Sequence, residues 1–141
     1  MINVDIEASS RYPIRRKKIK AKIAEVLEKI KLTKNIEIEV KIVGDRKMKG
    51  LKQRFFKKDE TTDVLSFPLH EIVSSQVAGS KIKISKTKFV DFPDNITRLG
   101  SIVISYPQAQ KQANLHKLLI DEEINQLVEH GMWHLLGVHH E

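Results

Sequence analysis

The strictest constraint on the fold is an alternation of apolar and charged residues at positions 36–42. Every second side chain there is β-branched and aliphatic, and the side chains between are charged: Ile36, Ile38, Val40 and Ile42 against Glu37, Glu39 and Lys41. Because successive side chains of a strand point to opposite faces of a sheet, the pattern predicts a strand with one buried face. A similar alternation of Ile2, Val4 and Ile6 predicts another strand near the start of the chain.

Helical patterns occur between and after these strands. Apolar residues recur at helical spacing in two segments, Ile19, Ile23, Val26, Leu27 and Ile30, and Ile120, Ile124, Leu127 and Val128. The first of these helices is predicted to begin at Pro13, which suits a first helical turn. The last is predicted from about Leu119 to Leu136, with Gly137 ending it. A short helix capped by Asp45 and one starting near Pro107 complete the helical predictions.

Two further strands are predicted, at 64–67 and 102–104, with Pro68 ending the first or placing it at a sheet edge. Residues 70–98 are interpreted as a long loop or β-excursion that could include a short strand around Ile82 and Ile84. Strands and helices are mixed without strict alternation, which favours the α+β class. We therefore predict one domain over residues 1–141, with helices packed on a mixed sheet of about four to five strands.

The composition excludes several functional classes. The chain has 141 residues and no cysteine, which excludes disulfides, thiolate catalysis and cysteine-ligated zinc. No apolar run approaches the roughly 20 residues that span a bilayer. The first ten residues are acidic and alternating, unlike a signal peptide. A cytoplasmic protein without a membrane partner is expected.

The formal net charge of +7 is concentrated in two clusters. One comprises Arg15, Arg16, Lys17, Lys18, Lys20 and Lys22, and the other comprises Arg46, Lys47, Lys49, Lys52, Arg54, Lys57 and Lys58. Such clusters suit a polyanion, because phosphate contacts release condensed counterions. The alternative is a solvated, lysine-rich surface. A catalytic site nearby would favour nucleic acid as the substrate.

The segment from His130 to Glu141 carries the clearest chemical pattern. His130 and His134, four residues apart on a helix, can aim their imidazoles at one point. Gly137 lets the chain turn back in a left-handed conformation, so His140 can supply a third ligand. Three imidazoles with an open fourth position are typical of a catalytic zinc site, with one ion per chain. His70 and His116 lack such a context and are predicted to be ordinary surface residues.

The same histidine and glycine spacing occurs in metzincin metalloproteases, which have a glutamate after the first histidine as general base. Gly131 occupies that position here. The pattern therefore predicts metzincin-like metal geometry without the proteolytic base.

Three segments resemble the YbeY endoribonuclease family. HGMWHLLGVHH (130–140) resembles its H-G-x-L-H-L-x-G-y-D-H signature, TTDVLSFP (61–68) its T-D-V-L-S-F-P strand, and RLGSIVIS (98–105) its L-G-D-I-v-I-S strand. The resemblance implies an α+β fold, one zinc ion and cleavage of single-stranded RNA. It also implies a role in ribosomal RNA maturation and ribosome quality control, with the ribosome or ribosomal proteins as partners and no DNA.

Three positions depart from the family pattern. His139 replaces an aspartate, Ser101 an acidic residue, and Phe56 an arginine that is a candidate phosphate-binding group. Arg54, Lys57 or Lys58 could substitute for that arginine, although lysine lacks the bidentate fork.

The candidate catalytic and metal-binding residues are therefore His130, His134 and His140, acting through zinc. His139 is an alternative ligand or a residue that orients one. Asp63 and Ser66 are secondary candidates for substrate or outer-sphere contacts, and Glu141 is a candidate proton acceptor. Two other functions remain open: a ribosome-associated RNA-binding protein without catalysis, and a metal-dependent hydrolase of another substrate class.

Overall fold

The computed structural model describes residues 2–32, 35–68 and 96–137. These ranges form four strands and four helices: β1 (Ile2–Ala8), α1 (Arg16–Lys29), β2 (Ile36–Val43), α2 (Asp45–Phe56), β3 (Val64–Pro68), β4 (Thr97–Ser105), α3 (Tyr106–His116) and α4 (Ile120–Leu135). No helix in them combines the length and apolar content needed to cross a membrane.

The strands form one mixed sheet in the order β1-β2-β4-β3. β1 and β2 are parallel, β2 and β4 are parallel, and β3 runs antiparallel to β4 at the edge of this described sheet. Parallel neighbours need a crossover connection, which α1 supplies between β1 and β2. The predicted α+β class is confirmed with four strands. The strand predicted around Ile82 and Ile84 lies outside the described residues.

The alternation in β2 divides the hydrophobic side chains between the two faces of the sheet. The four apolar residues of the alternation, Ile36, Ile38, Val40 and Ile42, join apolar side chains of α1 and α4 in the larger core. The other face carries a smaller cluster beneath α2, made of Val43, Met48, Leu65 and Val103. The sheet therefore holds α4 on one face and α2 on the other.

A bulge in β4 keeps its apolar residues on the face that α4 covers. The pairing between β2 and β4 shifts by one residue at Glu37/Ile38, and Gly100 has a φ of 134°, which favours glycine. As a result Leu99 and Ile102 are both fully buried although they are three residues apart. Without the shift, one of them would face away from the larger core.

The predicted start of the first helix, at Pro13, is wrong by three residues. α1 begins at Arg16 because the preceding segment packs against α3 instead of forming a helical turn. Tyr12 stacks on Tyr106 with ring centroids 5.0 Å apart, and the Tyr106 hydroxyl donates to the Pro13 carbonyl at 3.1 Å. Partial burial, and then the carboxylate of Asp121, raise the pKa of Tyr106, which favours this protonated donor.

Asp45 is not the helix cap that its position predicts. Gly44 is the cap of α2, and Asp45 is the first helical residue. Its carboxylate accepts hydrogen bonds from the Ser105 hydroxyl at 2.8 Å and from the Gln108 amide at 3.1 Å. Ser105 in turn caps α3 by accepting from the Gln108 backbone N–H, which confirms the helix start predicted near Pro107. Asp45 therefore joins two helix N-termini that are 60 residues apart in sequence.

His116 is exposed, as predicted, but it has a structural role. Its Nδ1 lies 3.0 Å from Oε1 of Glu123, whose side chain is only 4% exposed. Buried carboxylates are costly unless they are paired or hydrogen-bonded. His116 thus supplies the partner of a buried charge at the start of α4, the helix that carries His130 and His134.

Candidate metal site and nucleic-acid cleft

The two histidines of α4 present ring nitrogens to one point. His130 and His134 lie one helical turn apart, and their Nε2 atoms are 3.0 Å from each other with ring planes crossing at 72°. In a tetrahedral site with Zn–N bonds of about 2.0–2.1 Å, two ligand nitrogens lie roughly 3.3 Å apart. The pair therefore fits a shared metal ion. Without a metal, one imidazole can donate a hydrogen bond to the other.

The third predicted ligand, His140, its alternative His139 and the candidate proton acceptor Glu141 lie outside the described residues. Gly137, just before them, has a φ of 82°, the left-handed conformation predicted for the turn that ends α4. Among residues 2–32, 35–68 and 96–137 there is no cluster of three or more His, Cys, Asp or Glu side chains that could hold a metal. The described chain therefore contributes two of the predicted ligands.

The histidine pair lies in a cleft of about 260 Å³ formed by α4, β3 and the end of α2. The lining residues are Phe56, Val64, Leu65, Ser66, Pro68, His130 and His134. His130 is exposed and His134 is half-buried. Apolar side chains thus surround two accessible imidazoles.

The structure brings Ser66, but not Asp63, to this cleft. The Ser66 hydroxyl donates to the Gly131 carbonyl at 3.3 Å and so ties β3 to α4 beside His130. Asp63 precedes β3, and its backbone carbonyl accepts from the Ser105 N–H at 2.8 Å. It is not among the residues that line the cleft. Of the two secondary candidates, only Ser66 is placed to position the histidines.

Gly131 explains why a metzincin-like general base does not fit in this fold. A Cβ on Gly131 would lie 2.9 Å from Cγ2 of Ile102, a fully buried residue of β4. The position after His130 therefore faces the sheet. A glutamate there would point into the larger core instead of into the cleft.

Ser101, one of the departures from the family pattern, lies away from the histidines. Its hydroxyl donates to a Glu39 carboxylate oxygen at 2.8 Å on the face of the sheet opposite α4. Ser101 is therefore not part of the cleft lining. A carboxylate is still present at this point of the sheet, but β2 supplies it.

Phe56, at the position where the family pattern has an arginine, lines the cleft. It is the last residue of α2, and 44% of its surface is exposed. Lys52, one turn earlier, places its Nζ 5.3 Å from the centre of the Phe56 ring. Arg54, a predicted substitute for the arginine, lies against Phe55 instead. The i, i+4 spacing of Lys52 and Phe56 was the available signal for this pair.

Within the described residues, some cations of the basic cluster at positions 15–22 have a bonding partner and others are exposed. Arg15 pairs with Asp121 at 3.0 Å, and Arg16 donates to the Ile6 carbonyl at 2.6 Å. Lys22 lies 3.6 Å from Glu129, next to His130 in sequence. Lys17, Lys18 and Lys20 are exposed, so these three lysines are the candidates in α1 for phosphate contacts.

Comparison with known proteins decides the family. The sequence profile described as "Endoribonuclease YbeY" matches residues 4–141. The chain belongs to the YbeY family. A relative named endoribonuclease YbeY from Dehalococcoides mccartyi is 32% identical over 99% of this chain and 84% of its own length. Relatives of the same name from Persephonella marina and Aquifex aeolicus are 35% and 36% identical over 91% and 76% of this chain.

The chain spans 71% of the length of the Persephonella YbeY protein and 58% of the Aquifex one. A solution structure of a Thermotoga maritima protein superposes on the whole chain and on 75% of its own, with a TM-score of 0.56 and 24% identity. This structural likeness supports the fold and carries no functional information.

Proposed function

We propose that this chain is a zinc-dependent endoribonuclease that cleaves phosphodiester bonds of single-stranded RNA. The observation that carries the proposal is the convergence of the His130 and His134 Nε2 atoms, 3.0 Å apart, in a cleft that also exposes an aromatic side chain. Membership of the YbeY family supports RNA as the substrate, since the relatives are named as endoribonucleases. Gly131, which faces the core, argues against peptide hydrolysis.

The proposed ligands are His130, His134 and His140, with His139 orienting one of them or replacing His140. Zinc held there would supply Lewis-acid chemistry at the phosphodiester. His130 and His134 bind it only as neutral imidazoles, so protons compete with the metal. Ser66 holds α4 against β3 through the Gly131 carbonyl and thereby keeps both imidazoles in register with the cleft.

The remaining features of the cleft suit an RNA strand. Val64, Leu65 and Pro68 make part of the wall beside the imidazoles apolar, where water screens charge less than it does in bulk solvent. Lysines of α2 and α1 would neutralise flanking phosphates. The proposal extends to a cytoplasmic location and to ribosomal RNA maturation and ribosome quality control, with ribosomal RNA and ribosomal proteins as partners.

A second candidate function, RNA binding without cleavage, is favoured by one observation. Phe56 stands in the cleft where the family pattern has an arginine, so a candidate phosphate-binding cation is absent from that position. One experiment separates the two functions. The purified full chain, its His130→Ala and His134→Ala variants and a His116→Gln control are analysed for zinc and incubated with single-stranded RNA, duplex RNA and casein.

The proposal expects zinc in the wild-type chain and the control, a large loss of zinc in both alanine variants, and cleavage of single-stranded RNA that follows the zinc content. Bound RNA that stays intact at full zinc occupancy would establish binding without cleavage. Cleavage of casein would indicate a hydrolase of another class. Full zinc content in both alanine variants would overturn the metal site.

A further inference from the structure

The Phe56 side chain is exposed and belongs to neither hydrophobic core. It is absent from the residues that form or pack against the two cores, and 44% of its surface is accessible. It nevertheless lines the cleft that contains His130 and His134. Covering an exposed phenyl ring with a flat apolar group lowers the free energy, because apolar surface is removed from water. The ring therefore offers a contact surface at the proposed site.

The Phe56 ring is held in place by its neighbours. Lys52 lies 5.3 Å from the ring centre, and the Phe67 ring lies 6.2 Å away at an angle of 43°. Lys57, immediately after it, adopts a left-handed conformation with a φ of 59° and ends α2. Phe56 is therefore the last side chain of the helix, supported by a cation and by a second aromatic ring. Such support lowers the entropy cost of binding a flat ligand.

We propose that Phe56 is a base-stacking residue, which seats one unpaired nucleobase of the RNA beside His130 and His134 while Lys52 contacts a phosphate. This inference rests on the proposed function and adds a residue that selects the substrate. Proteins that bind single strands combine basic grooves with aromatic side chains on which bases stack. A base inside a duplex already has neighbours on both faces, so it cannot cover Phe56 without leaving the stack. Selection of unpaired RNA would follow from this one contact.

The chain offers a matched control in Phe55. It precedes Phe56 on α2, is 55% exposed, and also contacts Phe67, with ring centroids 5.2 Å apart. Arg54 lies 5.8 Å from its ring centre, so Phe55 also has a neighbouring cation. Phe55 is not among the residues that line the histidine cleft. A general loss of aromatic surface or of helix stability would affect both positions, whereas stacking at the cleft requires Phe56 alone.

The test measures binding by the full chain after metal removal, so it does not depend on cleavage. Wild type, Phe56→Ala, Phe56→Leu, Phe56→Trp and Phe55→Ala are titrated with a short oligoadenylate. Each is also titrated with a strand of equal length whose nucleosides are replaced by tetrahydrofuran spacers, which keep the phosphates and lack the bases. Thermal unfolding of each variant confirms that it is folded.

We expect Phe56→Ala and Phe56→Leu to weaken oligoadenylate binding by about 5- to 150-fold, the usual effect of removing one stacking partner. Phe56→Trp should stay within a few-fold of wild type because indole also stacks, and Phe55→Ala should match wild type. All variants should bind the base-free strand alike. Equal losses on both strands, or equal losses from Phe55→Ala and Phe56→Ala, would overturn the inference.

Failure of the inference and failure of the proposed function give different results. If wild type binds and cleaves RNA while Phe56→Ala binds oligoadenylate as tightly as wild type, only the stacking role is overturned. If wild type binds neither strand with or without zinc and cleaves no single-stranded RNA, both the proposed function and the stacking role are overturned.

Discussion

Gly131 of α4 and Ile102 of β4 are in contact at a distance that leaves no room for a side chain on the glycine. Besides Cγ2, the Cγ1 and Cδ1 atoms of Ile102 would lie 3.1 Å from a Cβ at position 131. Ile102 is fully buried and lies opposite Ser66 in the sheet. The Ser66 hydroxyl donates a hydrogen bond to the Gly131 carbonyl. This contact sets the distance between α4 and the sheet, and therefore the position of the adjacent His130.

Gly131→Ala should lower the free energy of unfolding by up to about 2 kcal/mol, because overpacking a core costs about 1–3 kcal/mol and the higher helix propensity of alanine offsets about 1 kcal/mol of that cost. Ile102→Ala makes room for the added methyl group, so the double variant should be less destabilised than the sum of the two single changes. Urea denaturation of all four proteins measures this coupling. Additive changes would show that the two residues do not limit each other, and His116→Gln can serve as a substitution remote from the contact.

The sequence predicted the elements that depend on local pattern, and the structure confirms them. The alternation at 36–42 and the stripe from Ile120 to Val128 each report burial of one face, which needs no knowledge of the partner. Asp45 was misjudged because its partners, Ser105 and Gln108, are 60 and 63 residues away in sequence. The start of a helix can be predicted from the local sequence. The contact of the Asp45 carboxylate with the start of α3 depends on tertiary structure, which the local sequence does not show.

In the candidate site too, the sequence predicted what depends on local pattern but not what depends on tertiary packing. The spacing of His130 and His134 sufficed to place them together, since helical geometry alone brings i and i+4 side chains to one face. The sequence motif also included Ser66, but not its bond to the Gly131 carbonyl across the interface between α4 and β3. Phe56 became a cleft residue only through the packing of α2 beside β3, which no local pattern encodes.

The pairing of His116 with Glu123 gives a prediction about stability. His116→Ala would leave the buried carboxylate without its partner, and an unsatisfied buried group costs about 1–3 kcal/mol or more when charged. His116→Gln keeps a donor and should lose less. Chemical denaturation at neutral pH measures both. Equal stability of His116→Ala and wild type would show that Glu123 is satisfied without His116.

The third metal ligand can be identified by two substitutions after Gly137. Spacing places the third histidine three residues after the glycine, which is His140, so His140→Ala should lose zinc and RNA cleavage together. His139→Ala should keep most of the zinc, and His139→Asp should keep or raise activity, because a carboxylate orients an imidazole better than a neutral ring does. Metal analysis with a cleavage assay measures both. The opposite pattern, an empty site in His139→Ala and a filled one in His140→Ala, would exchange the two assignments.

The two basic clusters differ in their distance from the cleft, and salt dependence can rank them. Lys52 contacts Phe56 in the cleft wall, and Lys58 follows α2. Lys17 and Lys18 lie near the start of α1. The adjacent Arg15 pairs with Asp121, at the opposite end of α4 from the histidines.

For a single strand, the logarithm of affinity falls against the logarithm of salt concentration with a slope of about −0.7 per neutralised phosphate. Lys52→Ala/Lys58→Ala should therefore flatten the slope by up to about 1.4, and Lys17→Ala/Lys18→Ala by less. Both pairs remove the same charge, so long-range attraction falls equally and only direct phosphate contacts distinguish them. Fluorescence anisotropy with labelled single-stranded RNA at several salt concentrations gives both slopes. A larger flattening from the α1 pair would place the strand along α1 and away from Phe56.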